Sequence, residues 1–351
     1  MKKRLRTLIV TGFNSLEGFQ LPMENRTLLW GLDQYNIEWF LYRPWEPPPD
    51  LSRFDAVLIT VYRAHIRNFA HHARQFETLA LKAGIPVIGT TRNIEGLHSF
   101  YLAIWQKLGI PCARFQRFRT AEDLTLDTYP MILRRDGIHR GGTMILVHNR
   151  EEAEQAIATQ HAQCPQIPSA TGPQPLDLAI AFVETVKSDG YYAKWRCYVV
   201  GDEVIPAHFM RSRAHFVNYK DAALWANTCN LDEIYRHEGV EHPEQVLAAA
   251  KSLGFDIITL DYSLLDDGRY IFWEGNRIRA TAGDQHVGWI SIRDTDLQYG
   301  EAVARLIRRQ VAGHIPETVP SKLQALPVFP DATCFVRQPA RYGRNRNLNM
   351  R

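Results

Sequence analysis

Apolar runs of strand length and helical patterns alternate through roughly the first ninety residues, and such alternation is met by few folds. TLIVTGF (Thr7 to Phe13), DAVLITVY (Asp55 to Tyr62) and IPVIGT (Ile85 to Thr90) read as buried strands. Between the last two lies HHARQFETLALKAG, which carries Phe76, Leu79 and Leu81 on a helical pattern. Strands separated by helices predict a parallel sheet with crossover connections. The turn after the first strand, TGFNSLEG, lacks the GxGxxG fingerprint and reads as a plain βα turn. The opening MKKRLRTLIVTGF is basic and then apolar, as in a signal peptide. Its apolar run is too short and ends at Thr11-Gly12, so a first strand is expected instead.

A chain of 351 residues is too long for one simple core and fits two or three packed lobes. With 45% hydrophobic and 23% charged residues it has an ordinary globular composition. A net charge of +3 is too small to call for nucleic acid by itself. The five cysteines are scattered, odd in number and without a CxxC pair. That speaks against a disulfide framework or a zinc site and for a reducing, cytoplasmic setting. No apolar stretch has the length of a membrane span, so no membrane partner is expected.

A second unit begins near Asn93. From Glu95 to Leu108 the residues Leu97, Tyr101, Ile104, Trp105 and Leu108 fall at helical spacing, and Gly109-Ile110-Pro111 stops the helix. PMILR and TMILV then flank a loop bearing Gly137, Gly141 and Gly142, which predicts a hairpin with a glycine-rich tip. Asn149 and the acidic residues after it mark a helix start. CPQIPSATGPQPLD reads as a surface loop or linker. Beyond LAIAFVETV, Gly201-Asp202 is a tight turn joining two strands of YYAKWRCYVVGDEVIPAHFMRS. HPEQVLAAAKSLG predicts a helix with Val246, Leu247, Ala250 and Leu253 on one face, and a last helix is expected over Leu297 to Val311.

Two further strand-like runs, GFDIITLDYSL and YIFWEGN, surround the turn Asp266-Asp267-Gly268. They deliver Asp261, Glu274 and Asn276, a set of oxygen donors that suits Mg²⁺. The plainer reading is that Asp261 caps a turn and that Glu274 pairs with Arg277 or Arg279. His208, His215 and His286 show no ligand spacing.

The series as a whole is a helix ending in LGIP, a cation-bearing strand YPMILRR, a glycine loop, a VET segment, a WRCYVVGDEVI strand pair, then LGFDIITLD and WEGN. From about Asn93 to Arg279 it resembles the ATP-grasp superfamily, and its carboxylate–amine ligase members in particular. The resemblance implies an α/β chain: an N-terminal parallel α/β (pre-ATP-grasp) domain over 1–92, followed by an ATP-grasp fold whose two α+β lobes enclose a nucleotide. The small lobe with the glycine loop spans 93–182 and the C-terminal lobe with the metal site spans 183–320. A basic tail over 321–351 is expected to be partly disordered unless it docks.

The resemblance also implies roles. Asp261, Glu274 and Asn276 would hold Mg²⁺, with Mn²⁺ as a substitute, bridging the phosphates of ATP. Gly137, Gly141 and Gly142 would close over the β- and γ-phosphates. Arg134 and His98 stand where the family usually has phosphate-binding lysines. Glu184, Thr185 and Val186 would form the hinge at the adenine edge, with Glu184 and Asp189 as candidate acids for the ribose. Arg196 and Arg211 would face the cleft and stabilise an acyl phosphate; surface pairing with Asp202 or Glu203 is the plainer reading. Asn218 would add a polar contact, and Arg277 and Arg279 would recognise an anionic substrate or balance nearby carboxylates.

The implied activity is ATP-dependent activation of a small-molecule or peptide carboxylate as an acyl phosphate, attacked by an amine, or less favourably a thiol, with release of ADP and phosphate. A peptide- or protein-modifying ligase and a degenerate nucleotide-binding protein without turnover are the alternatives. A homodimer is compatible with the sequence, and nucleic acid is not an expected partner.

Overall fold

The computed structural model of the chain describes residues 4–11, 23–60, 70–137, 144–164, 175–217, 234–276 and 294–313. These fall into two compact units, one of residues 1–94 with 278–351 and the other of residues 95–277.

The first unit is built on a parallel sheet. Strands β1 (Leu5–Val10), β2 (Ile37–Tyr42), β3 (Ala56–Ile59) and β4 (Val87–Ile88) lie in the order β2-β1-β3-β4, every pairing parallel. Helix α1 (Met23–Gln34) connects β1 to β2, and α2 (Ala70–Lys82) precedes β4. Leu8, Val10, Phe40, Tyr42, Val57 and Ile59 form one core with Ala73, Phe76 and Ala80 of α2. Side chains alternate along a strand, so Ile9 and Leu58 point the other way, and they too are buried. Both faces of the sheet are thus covered, as parallel sheets require. The buried stripe of α2 is Ala70, Ala73, Phe76 and Ala80. Leu79 and Leu81, expected on that face, are 41% and 59% exposed. At 100° per residue Leu79 falls at the edge of the Phe76–Ala80 line and Leu81 well beyond it.

The last helix, α6, also belongs to this unit and runs Asp294–Ala312. The sequence places it in the C-terminal lobe of 183–320; its packing on α1 puts it in this unit instead. It packs against α1 at a glycine crossing: a Cβ on Gly300 would lie 2.1 Å from the Thr27 carbonyl oxygen. Arg308 then donates from Nε to the Tyr35 carbonyl at 2.8 Å and from Nη2 to the Asn36 carbonyl at 3.4 Å. A cation there satisfies carbonyls just past the end of α1, where the helix dipole is negative.

The second unit holds two antiparallel sheets. In one, β5 (Phe115–Arg117), β6 (Met131–Arg134), β7 (Ile145–Val147) and β8 (Leu178–Ala181) lie in the order β5-β8-β6-β7. The expected hairpin is β6–β7, with Met131 opposite Val147. Helix α4 (Arg150–Gln163) covers this sheet with Ala153 and Ile157. Its Asn149 cap accepts from the Glu152 amide at 2.9 Å.

The other sheet has the order β10-β9-β11-β12, from β9 (Tyr192–Val200), β10 (Glu203–Ser212), β11 (Ile257–Leu264) and β12 (Tyr270–Asn276). Gly201, at φ +60°, turns β9 into β10. One face of this sheet is apolar: Cys197, Val199, Leu260, Tyr262 and Phe272 share a core with Tyr101 and Trp105 of α3 (His98–Lys107) and with Val246 and Ala250 of α5 (Pro243–Leu253). The opposite face carries the polar residues. Among the described residues no helix is long and apolar enough to cross a membrane.

Candidate functional site

β11 is flanked by β9 and β12, and one register row crosses all three strands. Asp261 lies opposite Arg196 on one side and opposite Glu274 on the other. Leu260 and Tyr262 point into the core, so alternation turns Asp261 to the polar face. Its carboxylate is fully buried and doubly held by Arg196, Nε to Oδ1 at 2.5 Å and Nη2 to Oδ2 at 2.7 Å. Lys194, two residues back on β9 and on the same face, places Nζ 3.2 Å from Oδ2. The Tyr235 hydroxyl donates to the Arg196 carbonyl at 3.0 Å, fixing the strand that carries both cations.

Glu274 has a different set of partners. Its Oε2 is 2.5 Å from His98 Nε2, and its Oε1 accepts from Asn276 Nδ2 at 3.1 Å. Burial works to raise its pKa. The His98 hydrogen bond together with the charges of His98, Lys194 and Arg134 outweighs it and holds the carboxyl well below the usual carboxylate range. Arg134, 5% exposed at the end of β6, has its own pKa pulled down by burial, an effect opposed by Glu274, Asp136 and Asp177 in that order.

His98 is positioned by a residue that follows β6 of the other sheet. The α3 N-cap residue, Leu97, has no capping side chain. Asp136, two residues beyond β6, takes that role: its Oδ1 accepts from the His98 amide at 2.6 Å and the Ser99 amide at 3.2 Å, and its Oδ2 accepts from Ser99 Oγ. The Asp136 amide donates in turn to Asp177 at 2.5 Å. Gly137 follows at φ +82°, a conformation that glycine adopts freely, as the chain leaves for the loop.

The structure therefore brings His98, Arg134, Arg196, Asp261, Glu274 and Asn276 together on and beside one sheet face. Arg211 does not join them. Its register partner is Ala193, of opposite parity to Arg196, so it lies on the other face. There it pairs with Asp189 at 3.0 Å and its guanidinium covers the Tyr191 ring at 4.5 Å. At the expected hinge, Thr185 is buried, and Val186 bridges to Tyr192. The Val186 amide is already engaged by the Glu184 carboxylate at 3.0 Å. Gly141, Gly142, Asn218, Arg277, Arg279 and His286, together with the tail from 321, lie outside the described residues.

Lys194, Asp136, Asp177 and the buried His208, which sits opposite Arg196, were not among the expected site residues. Lys194 carried a usable signal, since a second cation two residues from Arg196 on a strand must share its face. Asp136 and Asp177 carried none, because their role depends on contacts between elements far apart in the chain.

The donors Asp261, Glu274 and Asn276 have the oxygen chemistry of a hard-cation site. Among the described residues there is no ready group of three or more His, Cys, Asp or Glu that could hold a metal. Both carboxylates are also fully engaged, so an arriving cation would displace Lys194 or Arg196 from Asp261 and His98 or Asn276 from Glu274. The donor set fits Mg²⁺ on condition that something else takes those side chains.

No protein-family model matches the sequence, and no curated protein matches it. Solved structures do. The D-alanine–D-alanine ligase of Bacillus anthracis, complexed with ATP, aligns over 88% of this chain and 99% of its own at 14% identity, with a TM-score of 0.53. An ATP-grasp RimK domain protein of Sphaerobacter thermophilus aligns over 86% and 99% at 15% identity and 0.50. The ATP-grasp ligase PsnB, complexed with a minimal precursor, Mg and ADP, aligns over 87% and 97% at 14% identity and 0.50. The fold of this chain is the ATP-grasp fold, as the order of its sequence motifs predicts.

Proposed function

We propose that the chain is an ATP-dependent ligase that activates a carboxylate as an acyl phosphate for attack by an amine. The observation that carries this reading is the register row Arg196–Asp261–Glu274 with Lys194, Arg134 and His98 around it. It sets two carboxylates among several cations on one face of an ATP-grasp sheet. No side-chain nucleophile is needed, because phosphoryl transfer rests on positioning and charge stabilisation.

In the proposed reaction a substrate carboxylate oxygen attacks the γ-phosphorus and the bond to the β,γ-bridging oxygen breaks, releasing ADP. The amine then attacks the acyl carbon, phosphate leaves with the bonding pair, and the amine proton passes to phosphate or solvent. Arg134 and Arg196 are the fixed cations for the phosphoryl oxygens; both are buried in a region of low dielectric, where charge acts strongly. Mg²⁺, or Mn²⁺ in its place, would be held by Asp261, Glu274 and Asn276 and would supply neutralisation of phosphate charge. Arg211, on the opposite face, has no part in this scheme.

Hydroxylamine trapping with Mg²⁺-ATP tests the reading over a panel of amino acids, small carboxylates and peptides. Hydroxamate formation with concurrent ADP release is expected for one class. ADP binding with no phosphate release across the panel would instead make the chain a nucleotide-binding protein without turnover.

A further inference from the structure

We propose that Lys194 is a phosphate-binding cation, held on Asp261 until a nucleotide arrives, and that it lets the site bind nucleotide phosphates without a divalent cation. This rests on the nucleotide-binding reading above and extends it to a residue and a cation requirement.

Three observations carry it. First, Lys194 is surplus to Asp261. Arg196 already satisfies both carboxylate oxygens in a fork at 2.5 and 2.7 Å, whereas Lys194 approaches one of them at 3.2 Å. Second, Lys194 is the accessible member of the trio. Its side chain is 20% exposed, against 6% for Arg196 and none for Asp261. A flexible ammonium with rotatable donors can leave the carboxylate for a phosphate, whereas a buried bidentate guanidinium is locked. Third, the Asp261 charge is matched twice over, by Arg196 and by Lys194, so Lys194 can leave it without stranding a buried anion.

The same geometry accounts for His98. Its ring is committed to Glu274 at 2.5 Å, so it does not supply the ammonium that the family usually has at this position. Lys194, on β9, brings an ammonium to the same pair of carboxylates.

The test uses the full chain and measures ADP binding by titration calorimetry in EDTA and in MgCl₂, for the wild type, Lys194→Met and Lys194→Arg. The wild type is expected to bind ADP in EDTA. Lys194→Met is expected to weaken that binding on the order of tenfold or more, the loss of one charge-assisted hydrogen bond. Lys194→Arg should retain most of it. If Lys194→Met binds ADP in EDTA as the wild type does, the proposal fails and the nucleotide reading stands. Wild-type binding seen only with Mg²⁺ also defeats the proposal alone. If the wild type binds no ADP under either condition, both fall. A second measurement avoids any folding defect of the variants. Amine acylation of the wild type, mapped by mass spectrometry, should be slowed at Lys194 by ADP and not by adenosine. Equal labelling with ADP, adenosine or no addition would overturn the assignment.

Discussion

The ring of His98 and the carboxylate of Glu274 meet at 2.5 Å, Nε2 to Oε2, and so tie the first turn of α3 to β12. His98 is itself anchored through its amide to Asp136 at 2.6 Å. A chain of polar contacts thus runs from the loop after β6, through the start of α3, to the acidic strand. Glu274 is ionised in this setting although burial opposes its charge, and that has a consequence for stability in acid.

A carboxyl whose folded pKa lies below its unfolded value stabilises the fold above the unfolded value and loses that contribution as pH falls toward the folded one. For Glu274 the ordinary value is 4.5 and the folded value is well below it. The stabilisation is therefore complete above about pH 5 and declines below 4.5. In urea denaturation at a series of pH values, Glu274→Gln should be less stable than the wild type at pH 7. The gap should narrow toward pH 3. A gap that stays constant from pH 7 to pH 3 would show that the charge contributes nothing.

The Arg196–Asp261 pair invites a different experiment. Both groups are buried, so removing one strands the other in a region of low dielectric, at a cost of about 3–5 kcal/mol. Asp261→Asn and Arg196→Met should each lose stability on that scale. Lys194 remains beside Asp261 and should soften the second loss. The double variant should be less destabilised than the sum of the two, since neither charge is then left alone. Additive losses in a double-mutant cycle would mean that the two residues act independently.

Much of this could be read from the chain. The alternation of TLIVTGF, DAVLITVY and IPVIGT with a helix pointed to the parallel sheet, and the runs GFDIITLDYSL and YIFWEGN around the Asp266-Asp267-Gly268 turn pointed to the paired acidic strands. Strict alternation would leave Glu274 on the core face with Phe272; the irregular register between Asp261 and Tyr262 is what brings it opposite Asp261. What failed to come through has a physical reason. Arg196 and Arg211 look equivalent as cations on adjacent strands, and the irregular register between Pro206 and His208 helps decide which faces Asp261. Asp136 and His98 are 38 positions apart, so no local pattern announces a cap delivered from another element. The place of α6 in the first unit depends on two glycines, Gly31 and Gly300, that meet only after folding.

That crossing predicts an intolerance to the smallest added side chain. A Cβ on Gly31 would lie 2.2 Å from the Gly300 carbonyl carbon, and one on Gly300 would lie 2.1 Å from the Thr27 oxygen. Those contacts are with backbone and cannot be relieved by a rotamer change. Alanine is the better helix former by about 1 kcal/mol, yet overpacking of this kind costs about 1–3 kcal/mol or more. Gly300→Ala should therefore destabilise the protein, with a lower urea midpoint. A gain in stability would mean that α1 and α6 separate freely.

Asp136 gives the last prediction. It stands in for the capping side chain that Leu97 cannot provide, and its buried carboxylate accepts from the His98 and Ser99 amides at the start of α3. Loss of such a cap costs about 1–2 kcal/mol. Asp136→Ala removes both acceptors and should lie at or above the upper end of that range, because the amides it leaves are buried. Asp136→Asn keeps one acceptor oxygen but gives up the charge that favours a helix N-terminus, and should fall between Asp136→Ala and the wild type. Hydrogen exchange separates this from a general loss of stability. The Ser99 amide should lose more protection in Asp136→Ala than amides in the middle of α3 do. Uniform loss along the helix would assign Asp136 a role in lobe packing rather than in capping.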